Sequence, residues 1–170
     1  MKKLIIALVC MLGLSITSNS QELNKKFLDP TLESEILIDY CDRTGLENDS
    51  EFSEMLSIMY DAYEASEETI EELKAKAKDI EIVMVLGTWC HDSQIQVPAF
   101  YKVLDEIGFH EKNLKVIAVN RQKNTVSINI DKLEIKYVPT FIFYKDGKEL
   151  GRIIESPENT LEADFLRIIG

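Results

Sequence analysis

Two cysteines stand in different sequence settings, and one of them is placed for nucleophilic chemistry. Ile82-Val83-Met84-Val85-Leu86 is an unbroken β-rich run, and Gly87-Thr88-Trp89-Cys90 interrupts it. Val97, Phe100, Tyr101, Leu104 and Ile107 then recur at helical spacing. Cys90 is therefore expected at the N-terminus of a helix that follows a strand. There, unpaired backbone N–H groups and the helix dipole favour a thiolate, which is the nucleophilic form of cysteine. His91 and Asp92 follow it and act in opposite directions. A protonated imidazole favours the anion and a carboxylate opposes it. The same two residues read equally well as solvated side chains at a helix start. His110 is the only other histidine, so no second cluster supports a metal at Cys90-His91-Asp92, and no metal or other cofactor is expected.

Cys41 carries two readings. One is a small buried apolar side chain on the inner face of a helix. The other is a distant resolving thiol that reaches Cys90, which requires Cα atoms within roughly 7 Å. The third cysteine, Cys10, lies inside an apolar run from Leu4 to Ile16 that follows Lys2 and Lys3 and precedes Thr17-Ser18-Asn19-Ser20. That order is a secretory signal pattern with cleavage after Ser20, so residues 1–20 are read as an address. The run is shorter than the ~20 residues a spanning helix needs, and Val9 before Cys10 is too large for a lipidation site. Export to a periplasmic or extracellular setting follows, where disulfides persist.

The elements around Cys90 follow from patterning. After a loose leader over 21–30, Asp29-Pro30 reads as a helix start. Leu32, Ile36, Leu37, Tyr40 and Cys41 then form a helical stripe closed by Gly45. Phe52, Met55, Leu56, Met59, Tyr60 and Tyr63 give a clearer second stripe, which reads as core packing rather than a ligand groove. A third helix is expected over 67–78, with Ile70, Leu73 and Ala77 inward. Leu114 to Val119 is a second buried strand, and residues 121–137 are a polar connection with a short helix near 131–135. Phe141–Tyr144 and Leu150–Ile154 are strands joined at Asp146-Gly147, a type I′ hairpin signal. Ser156-Pro157 opens a last helix carrying Leu161, Phe165 and Ile168. Together these predict an α/β fold with a central mixed sheet covered by helices on both faces.

Composition narrows the function classes. Hydrophobic residues make up 45% and charged residues 29%, so the chain buries an ordinary globular core. With 19 basic against 30 acidic residues the formal charge is −11, which opposes binding to nucleic-acid phosphates. No stretch of the mature chain is apolar enough to span a membrane.

The motif order resembles the thioredoxin superfamily over about residues 67–169. Trp89-Cys90-His91-Asp92-Ser93 stands where that family carries Trp-Cys-x-x-Cys, and Pro98 falls eight residues after Cys90 as its helix proline does. Tyr137-Val138-Pro139-Thr140, leading into the strand and the Asp146-Gly147 hairpin, is similar to the family's cis-proline signature. The resemblance implies a thioredoxin-like domain over 67–170 with an N-terminal helical extension over 21–66. It also implies a substrate groove formed by Trp89, Val138 and Pro139, in which the backbone of Val138 bonds an extended peptide.

Two departures shape the expected activity. Ser93 replaces the resolving cysteine; a hydroxyl can donate a hydrogen bond to a thiolate but cannot resolve a mixed disulfide. Met84 stands where the family carries a buried acid six residues before the nucleophile. Both changes point away from a dithiol reductase. They leave thiol–disulfide exchange through Cys90, assisted by Ser93, of an isomerase or adduct-removing kind. Its partners are a disulfide-containing protein or small thiol adduct and an external thiol donor. The competing reading is a redox-inactive peptide- or protein-binding module on the same fold.

Overall fold

The computed structural model describes residues 22–170; the segment over 1–20 read as a signal, and Cys10 within it, lie outside the described residues. In chain order the strands are β1 (Lys25–Asp29), β2 (Ser34–Cys41), β3 (Glu81–Leu86), β4 (Leu114–Ala118), β5 (Thr140–Lys145) and β6 (Lys148–Ile154). The helices are α1 (Arg43–Glu47), α2 (Phe52–Ala62), α3 (Glu67–Lys76), α4 (His91–Glu106) and α5 (Leu161–Ile169). Six strands form one mixed sheet in the order β1-β2-β4-β3-β5-β6. Only β3 and β4 are parallel, as the intervening helix α4 requires. The β5–β6 hairpin turns at Asp146 (φ 52°) and Gly147 (φ 73°), the paired positive φ of a type I′ turn.

Alternation along β3 and β4 divides the interior. Ile82, Met84, Leu86, Val116 and Ala118 join the large core, where residues from all five helices pack. Its centre is aromatic: Phe100 lies 4.4 Å from Phe141 and Phe143 lies 4.5 Å from Phe165, centroid to centroid. Burying each such ring stabilises the fold by roughly 1.5–3 kcal/mol. Arg43 in α1 forks onto Asp105 of α4 at 2.8 and 2.9 Å, and Tyr60 of α2 donates to the same carboxylate at 2.8 Å. Val85, Ile117, Val119, Ile130 and Val138 form a smaller core on the other face.

Helices were expected over both faces, but the smaller core is closed mainly by the β4–β5 connection. Ile128, Leu133 and Ile135 pack there, around a single 3-10 turn at Asp131–Leu133. Asp39 and Arg152 anchor this connection. The Asp39 carboxylate, within β2, accepts from the N–H groups of Val126 (2.7 Å) and Ser127 (2.9 Å). Arg152 Nη1 donates to the Leu133 carbonyl at 2.9 Å.

The N-terminal expectation is corrected. Residues 25–41 are a β-hairpin rather than a loose leader and a helix, so the extension over 21–66 is helical only from Arg43 onward. Asp29 does not cap a helix: buried, it accepts from Thr31 and Leu32 N–H and closes the turn between β1 and β2. The helical stripe misled because Ile36, Leu37 and Ile38 are all buried. A strand covered on both faces loses its two-residue alternation. β2 then pairs antiparallel with β4, and Leu37, Cys41, Leu46 and Phe52 enter the same core as α4. The last helix also begins later than Ser156-Pro157, at Leu161, where Thr160 is the N-cap and accepts from Ala163 N–H.

Candidate active site

Cys90 is the N-cap of α4, its backbone extended (φ −95°, ψ 122°) and its carbonyl accepting from Gln94 N–H at 3.0 Å. Its side chain is partly buried, and its thiol donates to the Val138 carbonyl at 3.3 Å. The Val138–Pro139 peptide bond is cis. The segment is held from both sides of that bond. Thr140 Oγ1 donates to the Tyr137 carbonyl at 2.7 Å, and Glu155 N–H donates to the Pro139 carbonyl at 2.7 Å. The predicted nucleophile and the predicted peptide-gripping turn, 48 residues apart in sequence, therefore meet at one rim of the sheet.

Trp89, the residue before Cys90, packs with it against the smaller core. Its indole N–H donates to the Val119 carbonyl at the end of β4, 2.8 Å away. Gly87 makes room for that ring: a Cβ there would lie 2.6 Å from indole atoms. Thr88 is buried, and its carbonyl accepts from the Gln94 side-chain amide at 2.8 Å, tying the loop to the first turn of α4.

The other expected site residues fall differently. Ser93 is fully buried, and its hydroxyl oxygen accepts from Gly87 N–H at 3.2 Å. The hydrogen bonds among the described residues do not pair it with Cys90, so it braces the loop instead of assisting the sulfur. His91 and Asp92 are exposed and form no side-chain hydrogen bond or ion pair among the described residues, as solvated helix-start residues do. Pro98 lies buried inside α4, where it removes one helical N–H donor.

Cys41 does not meet Cys90. It pairs in register with Val116 and packs into the large core, whereas Cys90 packs with Val138 and Trp89 on the opposite face. The two sulfurs pack into different cores and are not bonded to each other, so among the described residues both thiols are free. Burial pushes the Cys41 thiol far up, with Asp42 and Asp49 adding to the effect. The resolving role is thereby replaced by the structural one.

Sequence reading missed Gly87, Gln94 and a cationic pair, Arg121 and Lys123, that stands over Trp89. The Arg121 guanidinium lies 5.5 Å and the Lys123 ammonium 5.8 Å from the indole centroid. The signal was present, since residues 112–130 contain four basic side chains and no acid in an otherwise acidic chain.

Comparison with known proteins decides the family. The thioredoxin family profile matches residues 43–164. The chain belongs to the thioredoxin family. It is 30% identical over 84 residues to "Thioredoxin Y, chloroplastic" of Oryza sativa subsp. japonica, a match covering 49% of this chain and 47% of that protein. The chain thus spans about half the length of that relative. Thioredoxin of Gallus gallus is 26% identical over 98 residues, covering 58% of this chain and 88% of its own. Among solved structures, a protein of unknown function from Pseudomonas aeruginosa superposes with a TM-score of 0.52 at 14% identity, covering 72% of this chain and 75% of its own. An HIV epitope scaffold gives 0.53 at 14% identity, covering 72% and 87% respectively. Those two likenesses concern the fold alone.

Proposed function

We propose that this thioredoxin-family chain is exported and performs thiol–disulfide exchange through Cys90 alone. The observation that carries the reading is the Cys90 sulfur seated 3.3 Å from the carbonyl of Val138, beside Pro139 and Trp89, at an accessible rim. In the first step the deprotonated Cys90 sulfur attacks one sulfur of a substrate disulfide. A new S–S bond forms, the old one breaks, and the departing sulfur leaves with the electron pair and takes up a proton. In the second step an external thiolate attacks the substrate sulfur of the mixed disulfide. Cys90 departs as the thiolate, and the substrate keeps a disulfide to the donor. The two steps move a disulfide between partners without net reduction, as suits isomerisation or the transfer of a thiol adduct. Ser93 and the buried Cys41 leave resolution to that external donor. Val138 and Pro139 present backbone to an extended substrate segment, and Trp89 stands next to the nucleophile in the chain.

The test is to expose the mature chain to hydroxyethyl disulfide, digest it and locate the adduct by mass spectrometry. The expected adduct sits on Cys90, forms in Cys41→Ser, is absent from Cys90→Ser, and is released by reduced glutathione. A chain whose Cys90 stays unmodified while it still binds unfolded segments would instead be a binding module. Export is tested by expressing the full sequence in a bacterial host and reading the N-terminus of the secreted product, which is expected to be Gln21.

A further inference from the structure

We propose that Arg121 and Lys123 make the rim selective for disulfides flanked by carboxylates. The inference rests on the exchange reading above and names its substrate class. The two cations are held on a built turn. Asn120 N–H donates to the Asn124 carbonyl at 3.0 Å, Lys123 N–H to the Asn120 carbonyl at 2.9 Å, and Asn124 N–H to Asn120 Oδ1 at 2.9 Å. The turn begins one residue after Val119, whose carbonyl receives the Trp89 indole N–H. One hydrogen bond therefore ties the cationic turn to the ring of the residue next to Cys90. Lys123 occupies the left-handed region (φ 62°), a position where Asn or Gly would be less strained.

Among the described residues neither Arg121 nor Lys123 forms an ion pair, although acidic side chains outnumber basic ones in this chain by 30 to 19. Lys25, by contrast, is engaged with Ser127 Oγ at 3.1 Å and Asp39 at 4.0 Å. Lys123 also lines a cleft of about 650 Å³ that runs along the β4–β5 connection to Lys136, with Asp131 and Glu134 on its wall. The acid nearest in sequence to the sulfur is Asp92, exposed in the first turn of α4. Local and global fields therefore oppose each other. The whole chain, at −11, attracts cationic substrates, and the turn beside Trp89 attracts anionic ones at the point of attack.

The test compares rates of Cys90 adduct formation at low ionic strength. Three peptides carry one cysteine as a mixed disulfide with 2-mercaptoethanol and differ only in flanking Glu, Gln or Lys. The small dianion 3,3′-dithiodipropionate and the dication cystamine form a second arm. The ratio of the Glu to the Lys peptide is expected to be about tenfold, to fall toward unity in 0.5 M NaCl, and to invert in Arg121→Glu/Lys123→Glu. Arg121→Gln/Lys123→Gln is expected to lie between. A preference confined to the peptides assigns the carboxylates to a protein segment, and one equal in the small pair assigns them to a low-molecular-weight thiol adduct. A parent that prefers the Lys peptide, or a ratio that the variants leave unmoved, overturns the inference while leaving exchange at Cys90 intact. No adduct even with the Gln peptide overturns both.

Discussion

Cys41 and Cys90 occupy one sheet and share a residue type, yet their surroundings give them opposite chemistry. Cys41 ends β2 within the large core, 4% exposed, beside Tyr101, whose phenol burial also pushes far up. Cys90 stands one element boundary past β3, half-buried, with its sulfur on a backbone carbonyl and its outer face toward solvent. A thiol inside apolar packing is a small hydrophobe. A thiol at a helix start, on the rim, is reachable by another sulfur. The lesson is that the strand register, not the cysteine count, decides which thiol can exchange.

The sharpest way to break that comparison is to exchange the roles. Cys90→Ser is expected to lower the rate of adduct formation by more than about 100-fold with stability within ~0.5 kcal/mol of the parent, read by mass spectrometry and urea unfolding. Gly87→Ala comes next. Its methyl group would meet the indole at 2.6 Å, so the ring next to Cys90 must shift, and exchange is expected to fall about tenfold. Cys41→Ser works the other way. It places a hydroxyl in the core, is expected to cost about 1–3 kcal/mol in urea unfolding, and leaves adducts on Cys90. An equal loss of exchange in Cys41→Ser would erase the distinction between the two thiols.

A smaller effect concerns the loop that backs the active rim. Burial alone would raise the Asp39 carboxyl, but the Ser127 and Val126 amides outweigh it and hold it below the usual carboxylate range. Glu162 is likewise held low against its burial by the Tyr63 hydroxyl, and Asp164 by Glu158 N–H. Each native value lies below its unfolded one. The stability they contribute is therefore complete only above about pH 5 and is lost as pH falls through the unfolded and then the native values. The urea midpoint is expected to hold from pH 8 to 6 and drop below about pH 4. Asp39→Asn should cost about 1 kcal/mol at pH 7 and make the acid fall shallower.

Most of the fold from Phe52 onward could be read in the sequence, because each element had a single period. Ile70, Leu73 and Ala77 face inward, β3 and β4 begin or end within a residue of their expected limits, and the Asp146-Gly147 turn is where the dipeptide placed it. The N-terminal hairpin was hidden because Ile36-Leu37-Ile38 is buried on both sides and so carries no alternation. The site was legible where a motif encodes backbone geometry, as at Trp89-Cys90 and Val138-Pro139. It was not legible where side chains choose partners through space. Ser93 turns to Gly87 rather than to the sulfur, Asp39 reaches across to the loop at Val126, and Arg121 and Lys123 come to the indole only because Val119 accepts its N–H.

Trp89 is the sole tryptophan in the sequence, and its ring is bonded to the Val119 carbonyl that precedes the cationic turn, next in sequence to Cys90. The molecule therefore carries its own optical label one residue from the proposed nucleophile. Emission excited at the red edge of protein absorbance comes from that one indole. A disulfide formed at Cys90 is expected to quench it, so exchange there would be read without a dye, a tag or a coupled assay.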